Sequence, residues 1–478
     1  MNPPGLSQAD YLKIKINVGA GFDIPTGNFV QGVHGEHILN GGLGVLDAAV
    51  GFGNCGKTLI EEFRMYTAQN RLCHAGSSYS LSRDTEFNKD EVRISGLVNK
   101  NFDKLRELDA FNTGLINISD ITAGSNNEWF QGQKDWITNE KIKAKNLTQY
   151  QLPYLDRNGK DLMTTIMPSF GFIDSVSEFS SEAIQDIRDD NEIGESGLNI
   201  INMRQGLERS MMLQELPYLA GKGKHFYLLT AHFGKDNDVK KAGAMTLPPV
   251  KALANLPSGY KIKGVSEKFF YLLHNCWLMS QPKVMMNDTD KSAQYPKTSK
   301  EMHRVPFDKD LQLLMATQLR GKAGSTGYSL DIASSQEDGI QPTLTEYIGL
   351  KEGYGLKSSA YFGIKGTTNF NMLLCPDVNL QRTTIREKIS ENASLRRAIN
   401  ITSELMQMWQ FMRHYDDLLC TPEELFTGIK ERGYDWDEIL GNTRGWYTLN
   451  NDKVPGPKFL STLDLLRMRK GLYKPYWK

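Results

Sequence analysis

The amino-acid sequence predicts an α/β fold, with a mostly parallel, twisted sheet covered by helices and a small helical domain after it. Three apolar runs, at residues 44–50, 170–174 and 225–230, have the composition of buried strands. Segments with helical periodicity lie between them, and strands that alternate with helices are typical of a parallel sheet. From about residue 381 the pattern becomes helical and charged, which predicts the C-terminal helices.

The composition is that of an ordinary globular chain. Of 478 residues, 40% are hydrophobic and 23% are charged, and 56 Lys and Arg balance 56 Asp and Glu. Because the net charge is zero, no overall field attracts nucleic acid or anionic lipid, and any polyanion must be bound by a local patch. No run approaches the ~18 apolar residues of a membrane span. The first residues also lack a secretory signal, so we expect an intracellular, cytoplasmic protein without a membrane partner.

The number and spacing of the cysteines also indicate an intracellular protein. Cys55, Cys73, Cys276, Cys375 and Cys420 are scattered, odd in number and without a CxxC pair. This spacing supports neither a disulfide framework nor a zinc site, so the sequence predicts a reduced intracellular chain.

Changes of pattern divide the chain into three parts. The predicted boundaries are 1–40 for an N-terminal arm, 41–365 for the core and 366–478 for the C-terminal helical domain. The arm contains one alternating strand, Tyr11–Val18, and could contact a neighbouring chain. Insertions near 101–168 and 264–310 interrupt the core.

Weaker signals predict the remaining elements of the core. Turn residues predict a hairpin around 156–160, and apolar periodicity predicts a helix over 203–219. Closely spaced strands near Leu311 and Tyr328 predict an antiparallel continuation of the sheet. Thr421, followed by proline and two glutamates, is typical of a helix N-cap.

A phosphate-binding loop follows the first buried strand. Residues 51–58 fit the P-loop pattern Gly-x-x-x-x-Gly-Lys-Thr, with an apolar strand before it and a helical pattern from Leu59. Such a loop turns its backbone amides toward phosphates at the positive end of the helix. Lys57 is expected to reach the β- and γ-phosphates and Thr58 to ligate Mg²⁺. The predicted ATP-binding residues are Gly51, Phe52, Gly53, Asn54, Cys55, Gly56, Lys57, Thr58 and Leu59.

Three other strand ends carry candidate catalytic or metal-binding side chains. Asp174 ends an apolar strand, and an aspartate at that position can hold Mg²⁺ and its water shell. Glu86 ends the strand after the P-loop helix and could polarise water beside the γ-phosphate, with Asp84 as the alternative. His232 closes the next strand and could sense the γ-phosphate. The carboxyl ends of parallel strands meet at one edge, so these side chains should converge.

These motifs together resemble the RecA/Rad51 superfamily, most closely the phage-type (UvsX-like) RecA recombinases. The resemblance covers roughly residues 30–360 and implies a RecA-like P-loop ATPase core. It rests on Gly41–Leu46 before the P-loop, Asp84–Phe87 with the catalytic glutamate, Phe172–Ser175, His232 at the sensor position, and Asp338–Pro342 followed by Glu352–Gly355.

The resemblance implies a DNA-dependent ATPase that uses ATP and Mg²⁺. It further implies helical filaments on single-stranded DNA, pairing with homologous duplex DNA and strand exchange, with DNA held by loops after Ser175 and after His232. Between 233 and 263 six lysines stand against two aspartates, which suits contact with phosphates. The predicted DNA-binding residues are Lys235, Lys240, Lys241 and Lys251. Residues 182–195, in contrast, hold six acids and one arginine, which is a poor DNA loop.

Two basic features lie elsewhere. Members of the family give a basic residue to the neighbour's ATP, and the resemblance implies this role for Arg320, with Lys322 beside it. Residues 467–478 contain five basic and three aromatic residues without an acid. This tail suits single-stranded DNA, or else it docks on a neighbour.

Other functions remain open on the sequence alone. A ring-forming helicase of the DnaB type shares the core, although only about 50 residues precede the P-loop here. A nucleotide-gated structural assembly protein with a weak ATPase would bind ATP with little DNA stimulation. The likeness to phage proteins also makes a virus-encoded protein acting in a bacterial host one alternative.

Overall fold

The computed structural model describes most of the chain, and the following statements refer to those residues. They are 25–41, 44–61, 64, 79–83, 116–120, 126–143, 149–156, 158–166, 169–178, 182–190, 198–235, 260–263, 265, 268–321, 327, 329–353, 362–364, 370–411, 418–443 and 460–478. The predicted strand at 11–18 lies outside them.

The strands form one large sheet and several small ones. Their bounds are β1 Pro25–Gln31, β2 His37–Gly41, β3 Leu46–Gly51, β4 Tyr79–Arg83, β5 Ile116–Asp120, β6 Gln149–Leu155, β7 Leu162–Ile166, β8 Ser169–Asp174, β9 His225–Lys235, β10 Tyr260–Ile262, β11 Asn275–Met279, β12 Lys283–Val284, β13 Leu311–Gly321, β14 Ser329–Ser335, β15 Gly339–Ile340, β16 Phe362–Ile364, β17 Phe370–Met372 and β18 Cys375–Leu380.

The large sheet is mixed. Its order is β15-β14-β13-β11-β3-β9-β8-β4-β5, with β10 on β9 and β12 on β13. The strands from β11 to β5 are parallel, and β13, β14 and β15 continue the sheet antiparallel. The α/β class and the antiparallel continuation are therefore confirmed. The sheet is less parallel than predicted, because the long hairpin of β13 and β14 and three short strands, β10, β12 and β15, add antiparallel pairs.

The helices pack on the sheet and beyond its antiparallel end. Their bounds are α1 Asn126–Asp135, α2 Glu182–Asp189, α3 Leu198–Gly223, α4 Lys268–Leu272, α5 Pro342–Gly353, α6 Ile385–Glu391, α7 Ala393–Phe411, α8 Pro422–Glu431, α9 Trp436–Gly441 and α10 Thr462–Lys470. A further helix begins at Lys57. A π-helix, Trp136–Lys141, continues α1, and short 3-10 turns occupy Val176–Glu178 and Glu301–His303.

Local sequence signals account for several of these bounds. The Thr421 side chain accepts a hydrogen bond from the Glu424 backbone amide, and the Glu424 carboxylate accepts from the Thr421 amide. This capping box begins α8 where the sequence predicted it. The predicted hairpin at 156–160 joins β6 and β7. The helix predicted over 203–219 is α3, which extends further at both ends.

The hairpin of β1 and β2 and the strand β11 are among the elements that were not predicted. The hairpin of β1 and β2 lies in the predicted N-terminal arm, for which the sequence predicted only the strand at 11–18. The strand β11 lies in the supposed insertion 264–310, yet it pairs with β3 in the middle of the sheet. Its apolar run Cys276–Met279 was a usable signal, but it is short and could equally belong to a helix.

The C-terminal helices share a core with the antiparallel end of the sheet. One cluster of buried apolar side chains runs from Leu311 in β13 through Tyr347 in α5 to Leu405 in α7 and Met468 in α10. A buried ion pair between Glu36, in the turn after β1, and Arg467 joins the N-terminal hairpin to α10. The C-terminal helices are thus anchored on both sides.

A second cluster of buried side chains lies under the parallel strands, and a third supports the P-loop. The third includes Cys55 and Ile60 of the loop and its helix, packed against Trp277 in β11 and Leu314 in β13. In the part of the chain that the structure covers, no helix is long and apolar enough to span a membrane.

Candidate nucleotide site

The P-loop follows β3 directly and has the backbone of a tight turn. Asn54 and Gly56 have φ of 56° and 81°, and the backbone amide of Ile60 donates to the Gly56 carbonyl at 3.0 Å as the helix begins. A Cβ atom at Gly51 would lie 2.6 Å from the Cys55 sulfur and 2.8 Å from the Met279 carbonyl. A side chain at position 51 therefore cannot be accommodated, since the loop and β11 are already in contact.

Lys57 points back onto its own loop. Its ammonium donates to the Phe52 carbonyl at 2.5 Å and lies 3.9 Å from the Cys55 sulfur. The Cys55 thiol donates to the same carbonyl at 3.0 Å. Cys55 is 1% exposed, and this burial raises the pKa of its thiol. The positive charge of Lys57 partly offsets the increase in that pKa. Cys55 is therefore a packing residue of the loop.

Asp174 joins two hydroxyl groups at the carboxyl edge of the sheet. Thr58 Oγ1 donates to Asp174 Oδ2 at 2.6 Å, and Thr230 Oγ1 donates to Asp174 Oδ1. The three residues come from the P-loop helix, β8 and β9. Thr230 was not among the predicted site residues, although the sequence analysis noted the strand end that carries it.

The oxygen atoms at this edge fit a magnesium nucleotide. A threonine hydroxyl and a carboxylate are hard ligands, which Mg²⁺ prefers, together with phosphate oxygens. Among the described residues no group of three or more His, Cys, Asp or Glu side chains could hold a metal by itself. Thr58 and Asp174 would therefore hold Mg²⁺ together with phosphates, which the sequence predicts for the adjoining loop.

His232 lies next to the P-loop in the sheet. It pairs with Gly51 in the register of β9 and β3, and its backbone amide donates to Ser177 Oγ at 2.9 Å. Ser177 Oγ in turn donates to the Lys263 carbonyl at 3.0 Å, and the Lys263 amide donates to the His232 carbonyl at 2.8 Å. Ser177, which the sequence analysis did not single out, thus joins the segment after Asp174 to both β9 and β10.

The strand predicted to carry the catalytic glutamate is β4. β4 ends at Arg83, which pairs in register with Asp174, so the strand ends at the same edge as the P-loop. Glu86 and its alternative, Asp84, lie outside the described residues.

Arg320 lies at the other edge of the sheet. It pairs with Cys276, which pairs with Ala48 near the amino end of β3. Its guanidinium donates to the Leu273 carbonyl at 3.2 Å and lies over the Tyr271 ring, 5.7 Å from the centroid. Within one chain Arg320 therefore does not contact the P-loop, and only a neighbouring chain could bring it to a nucleotide. Lys322 lies outside the described residues.

The predicted DNA-binding lysines are only partly covered. Lys235 ends β9, where its backbone pairs with Tyr260 of β10. Lys261 in β10 and Lys263 directly after that strand are exposed. The remaining predicted contacts, Lys240, Lys241 and Lys251, lie outside the described residues. Part of the acidic segment after Ser175 is helix α2.

The basic C-terminal tail folds onto its own chain. Trp477 packs against the core. Lys478 forms an ion pair with Glu438, and Arg467 forms one with Glu36. Two other basic residues of the tail, Arg469 and Lys474, line a cavity of about 710 Å³ together with Gly428, Glu431, Arg432, Tyr434, Met468, Gly471, Leu472 and Tyr473.

A buried ionic cluster supports the start of the P-loop helix. Asp47 in β3 accepts hydrogen bonds from Arg64 and from the backbone and side chain of Asn275 in β11, the latter at 3.0 and 3.1 Å. Arg64 also binds Glu61 at 3.0 Å. Burial raises the pKa of the Glu61 carboxyl to about 7, although the positive charge of Arg64 acts to lower that pKa. No signal in the sequence indicated that these residues meet.

Comparison with protein-family profiles and with curated proteins gave no match. Among solved structures, the chain is similar to the crystal structure of the RadB recombinase, with 14% identity and a TM-score of 0.32. That similarity covers 63% of this chain and 92% of the other.

Proposed function

We propose that the chain is a RecA-like, DNA-dependent ATPase that forms helical filaments on single-stranded DNA and promotes pairing with homologous duplex DNA. The observation that carries the proposal is the meeting of Thr58, Asp174 and Thr230 beside the loop that holds Lys57. A hydroxyl and a carboxylate brought together at the N-terminus of a P-loop helix are the protein ligands that a magnesium triphosphate requires.

The proposed roles divide as follows. Lys57 binds the β- and γ-phosphates, Thr58 and Asp174 hold Mg²⁺, and Mg²⁺ when bound neutralises charge on the phosphates. Glu86 polarises the attacking water, and His232 senses the γ-phosphate. Arg320, because it lies at the far edge of the sheet, acts on the nucleotide of a neighbouring chain.

The geometry of β9 and β10 supports the assignment of DNA to the second loop. These strands pair at Lys235 and Tyr260, so segment 236–259, which contains three lysines and two aspartates, leaves from and returns to the edge that carries the P-loop. Lys261 and Lys263 add exposed positive charge at its end. We propose that Lys235, Lys240, Lys241 and Lys251 contact the DNA phosphates.

Hydrolysis assays with and without single-stranded DNA, followed by electron microscopy, test the proposal. DNA-stimulated hydrolysis and a helical filament with a non-hydrolysable ATP analogue would support it, and joint molecules with homologous duplex would support strand exchange. A closed ring would favour the DnaB-type helicase instead. Slow hydrolysis without DNA stimulation and without filaments would favour the structural assembly protein.

Lys57→Ala tests the nucleotide site itself. Loss of the ammonium should reduce kcat/KM for ATP by at least about 100-fold, because the phosphate charge loses its partner. Lys134→Ala is the matched control, since Lys134 is exposed and pairs with Glu215 on the surface. Equal activity of the two variants would contradict the assignment of the loop.

A further inference from the structure

Three polar side chains form a hydrogen-bonded chain at the amino ends of β8 and β9. The Lys141 amine donates to Ser169 Oγ at 2.6 Å, and Ser169 Oγ lies 2.7 Å from Nδ1 of His225. Ser169 begins β8 and His225 begins β9, so these side chains lie at the edge of the sheet opposite the P-loop. We call the three residues the lysine cluster.

The π-helix that follows α1 holds Lys141 in place. Lys141 is its last residue, and the helix packs tightly on the end of α3, since a Cβ atom at Gly223 would lie 2.5 Å from Cγ2 of the fully buried Ile137. The Lys141 amine also donates to the Lys224 carbonyl at 3.2 Å and lies 5.7 Å from the centroid of the Trp136 ring. Turns of π-helix are rare and are found frequently at functional sites.

Within the described ranges no acidic side chain neutralises this amine. Its hydrogen-bond partners are a hydroxyl and a backbone carbonyl, and burial is what shifts its pKa. Lys224 contacts it only through its carbonyl. The titratable side chains of β9 in this region are His225 and Tyr227, whose rings are 4.7 Å apart. Burial and the charge of Lys141 lower the pKa of His225 to about 3, and burial raises the pKa of Tyr227, so both side chains are neutral near pH 7.

These surroundings suit an uncharged amine. Burial lowers the pKa of Lys141 from 10.5 to about 7, so about half of the amines are neutral at pH 7. An ordinary lysine, with a pKa near 10.4, is neutral in less than about 0.1% of molecules at that pH. The two acceptors match the two hydrogens of a neutral amine, which leaves the nitrogen lone pair for reaction. Lys141 is only half-buried, so a small molecule can reach it.

We propose that Lys141 is a modification site, at which the amine attacks small acyl phosphates and becomes an amide. The nitrogen lone pair forms a bond to the acyl carbon, and the bond from that carbon to the phosphate oxygen breaks. The phosphate leaves with the electron pair of that bond and takes one amine proton. Desolvated lysines act as nucleophiles in this way in enzymes.

The hydrogen bonds of the lysine cluster orient the amine for this step. Ser169 Oγ and the Lys224 carbonyl each hold one amine hydrogen. The amide that forms keeps a single N–H for these two acceptors. Acylation therefore releases one of the two hydrogen bonds that hold the end of the π-helix to the sheet, and it removes the charge of the side chain.

Acetylation of the full chain with acetyl phosphate tests the proposal. Mass spectrometry of the digested protein gives the rate of modification at each lysine. At pH 7 Lys141 should react about 10-fold faster than Lys143 and Lys160, because its larger neutral fraction outweighs its lower basicity and its partial burial. Lys143 and Lys160 are matched controls, since both are exposed.

The dependence of these rates on pH is the second readout. The rate at Lys141 should level off above about pH 8, where its amine is almost wholly neutral, while the rates at the two exposed lysines should rise to about pH 10. In urea that unfolds the chain, Lys141 should react as the controls do. A rate at Lys141 that is no higher than theirs at pH 7, or that rises in parallel with theirs, would overturn the proposal.

Ser169→Ala tests the orienting hydroxyl. The amine loses one of its two acceptors, so its acetylation should slow by about fivefold, the value of roughly one hydrogen bond. Ser210→Ala is the matched control, because the Ser210 hydroxyl donates to the Gly206 carbonyl within α3. An unchanged rate in Ser169→Ala would overturn the part assigned to Ser169, and the wild-type rates decide the site even if this variant does not fold.

Acetyl coenzyme A tests the class of acyl donor. Because this thioester is bulky and Lys141 is half-buried, the preference for Lys141 over Lys143 and Lys160 should be smaller than with acetyl phosphate. A larger preference with the thioester would overturn the assignment to acyl phosphates. None of these measurements involves ATP hydrolysis or DNA, so failure of the proposed function would leave the assignment of Lys141 intact.

Discussion

Asp174 accepts a hydrogen bond on each of its carboxylate oxygens, from Thr58 and from Thr230. Thr230 is fully buried, so its hydroxyl has a fixed position. The carboxylate is thereby oriented before any ligand arrives, and such preorganisation is what an efficient metal site requires. Under the proposed function, Thr230 would act as a positioning residue through Asp174.

Thr230→Val should separate this orienting role from packing. Valine has nearly the same shape but cannot donate to Asp174, so kcat for ATP should fall by about 10-fold, the value of one hydrogen bond to a charged group. ATP binding without Mg²⁺ should be unchanged, because only the metal ligand is disturbed. Thr230→Ser, which keeps the hydroxyl, should restore activity. An unchanged kcat in the valine variant, measured at saturating Mg²⁺, would contradict the role.

Among the elements, β11 and the P-loop helix depend on each other. Asn275 at the start of β11 binds Asp47 of β3, and Asp47 binds Arg64 of the helix. The same strand supplies the Met279 carbonyl that lies against Gly51. The strand order thus sets the position of the loop, and the buried charges keep the helix in register with the sheet. Removal of one partner from such a cluster is strongly destabilising.

Glu61→Gln should change how stability depends on pH. Burial raises the pKa of the Glu61 carboxyl from 4.5 to about 7, so the folded state holds this proton more tightly than the unfolded chain. The free energy by which the protonated Glu61 carboxyl stabilises the folded state is complete below about pH 4.5. It is lost as the pH rises through about 7. Glutamine carries no such proton. The stability of the variant relative to the wild type should therefore rise between about pH 5 and pH 8, on the order of 1–3 kcal/mol.

Urea denaturation at both pH values measures this difference. Glu423→Gln on the exposed side of α8 is the matched control for the loss of a surface carboxylate. If the stability of both variants relative to the wild type changed with pH in the same way, Glu61 would not be buried as a protonated acid.

Across the whole molecule, the ends of the described chain are tied together. The turn between β1 and β2 contributes Glu36, 7% exposed, and α10 contributes Arg467, also 7% exposed. Both lie beside the cluster of apolar side chains that joins the C-terminal helices to β13 and β14. The pair therefore links the N-terminal hairpin to the part of the chain that lies furthest from it in sequence.

Arg467→Met should destabilise the chain by about 3 kcal/mol, because it leaves the Glu36 carboxylate buried without its cation. Glu36→Gln combined with Arg467→Met should recover much of this loss. A double-mutant cycle in urea measures the coupling. The exposed pair Lys134–Glu215 is the control, with an expected coupling of about 0.2–1 kcal/mol. Equal coupling in the two cycles would contradict a structural role for the buried pair.

Local pattern was enough to predict two strands of the candidate nucleotide site and the start of α8. The apolar run before the P-loop, the run that ends at Asp174 and the capping signal at Thr421 each appear as elements close to their predicted bounds. These signals work because burial of one strand or the start of one helix depends on adjacent residues. The strand β11 was not predicted, because its run of apolar residues is too short to distinguish a strand from a helix.

Amino-acid order alone therefore specified a phosphate loop between a strand and a helix, and the acids and hydroxyls at the strand ends. The folded chain added that Thr58, Asp174 and Thr230 meet at one point, and that Arg320 lies at the opposite edge. Such contacts depend on the order and register of strands that are far apart in sequence. Pairing over that distance is selected by the packing of the entire sheet, so no local pattern contains it.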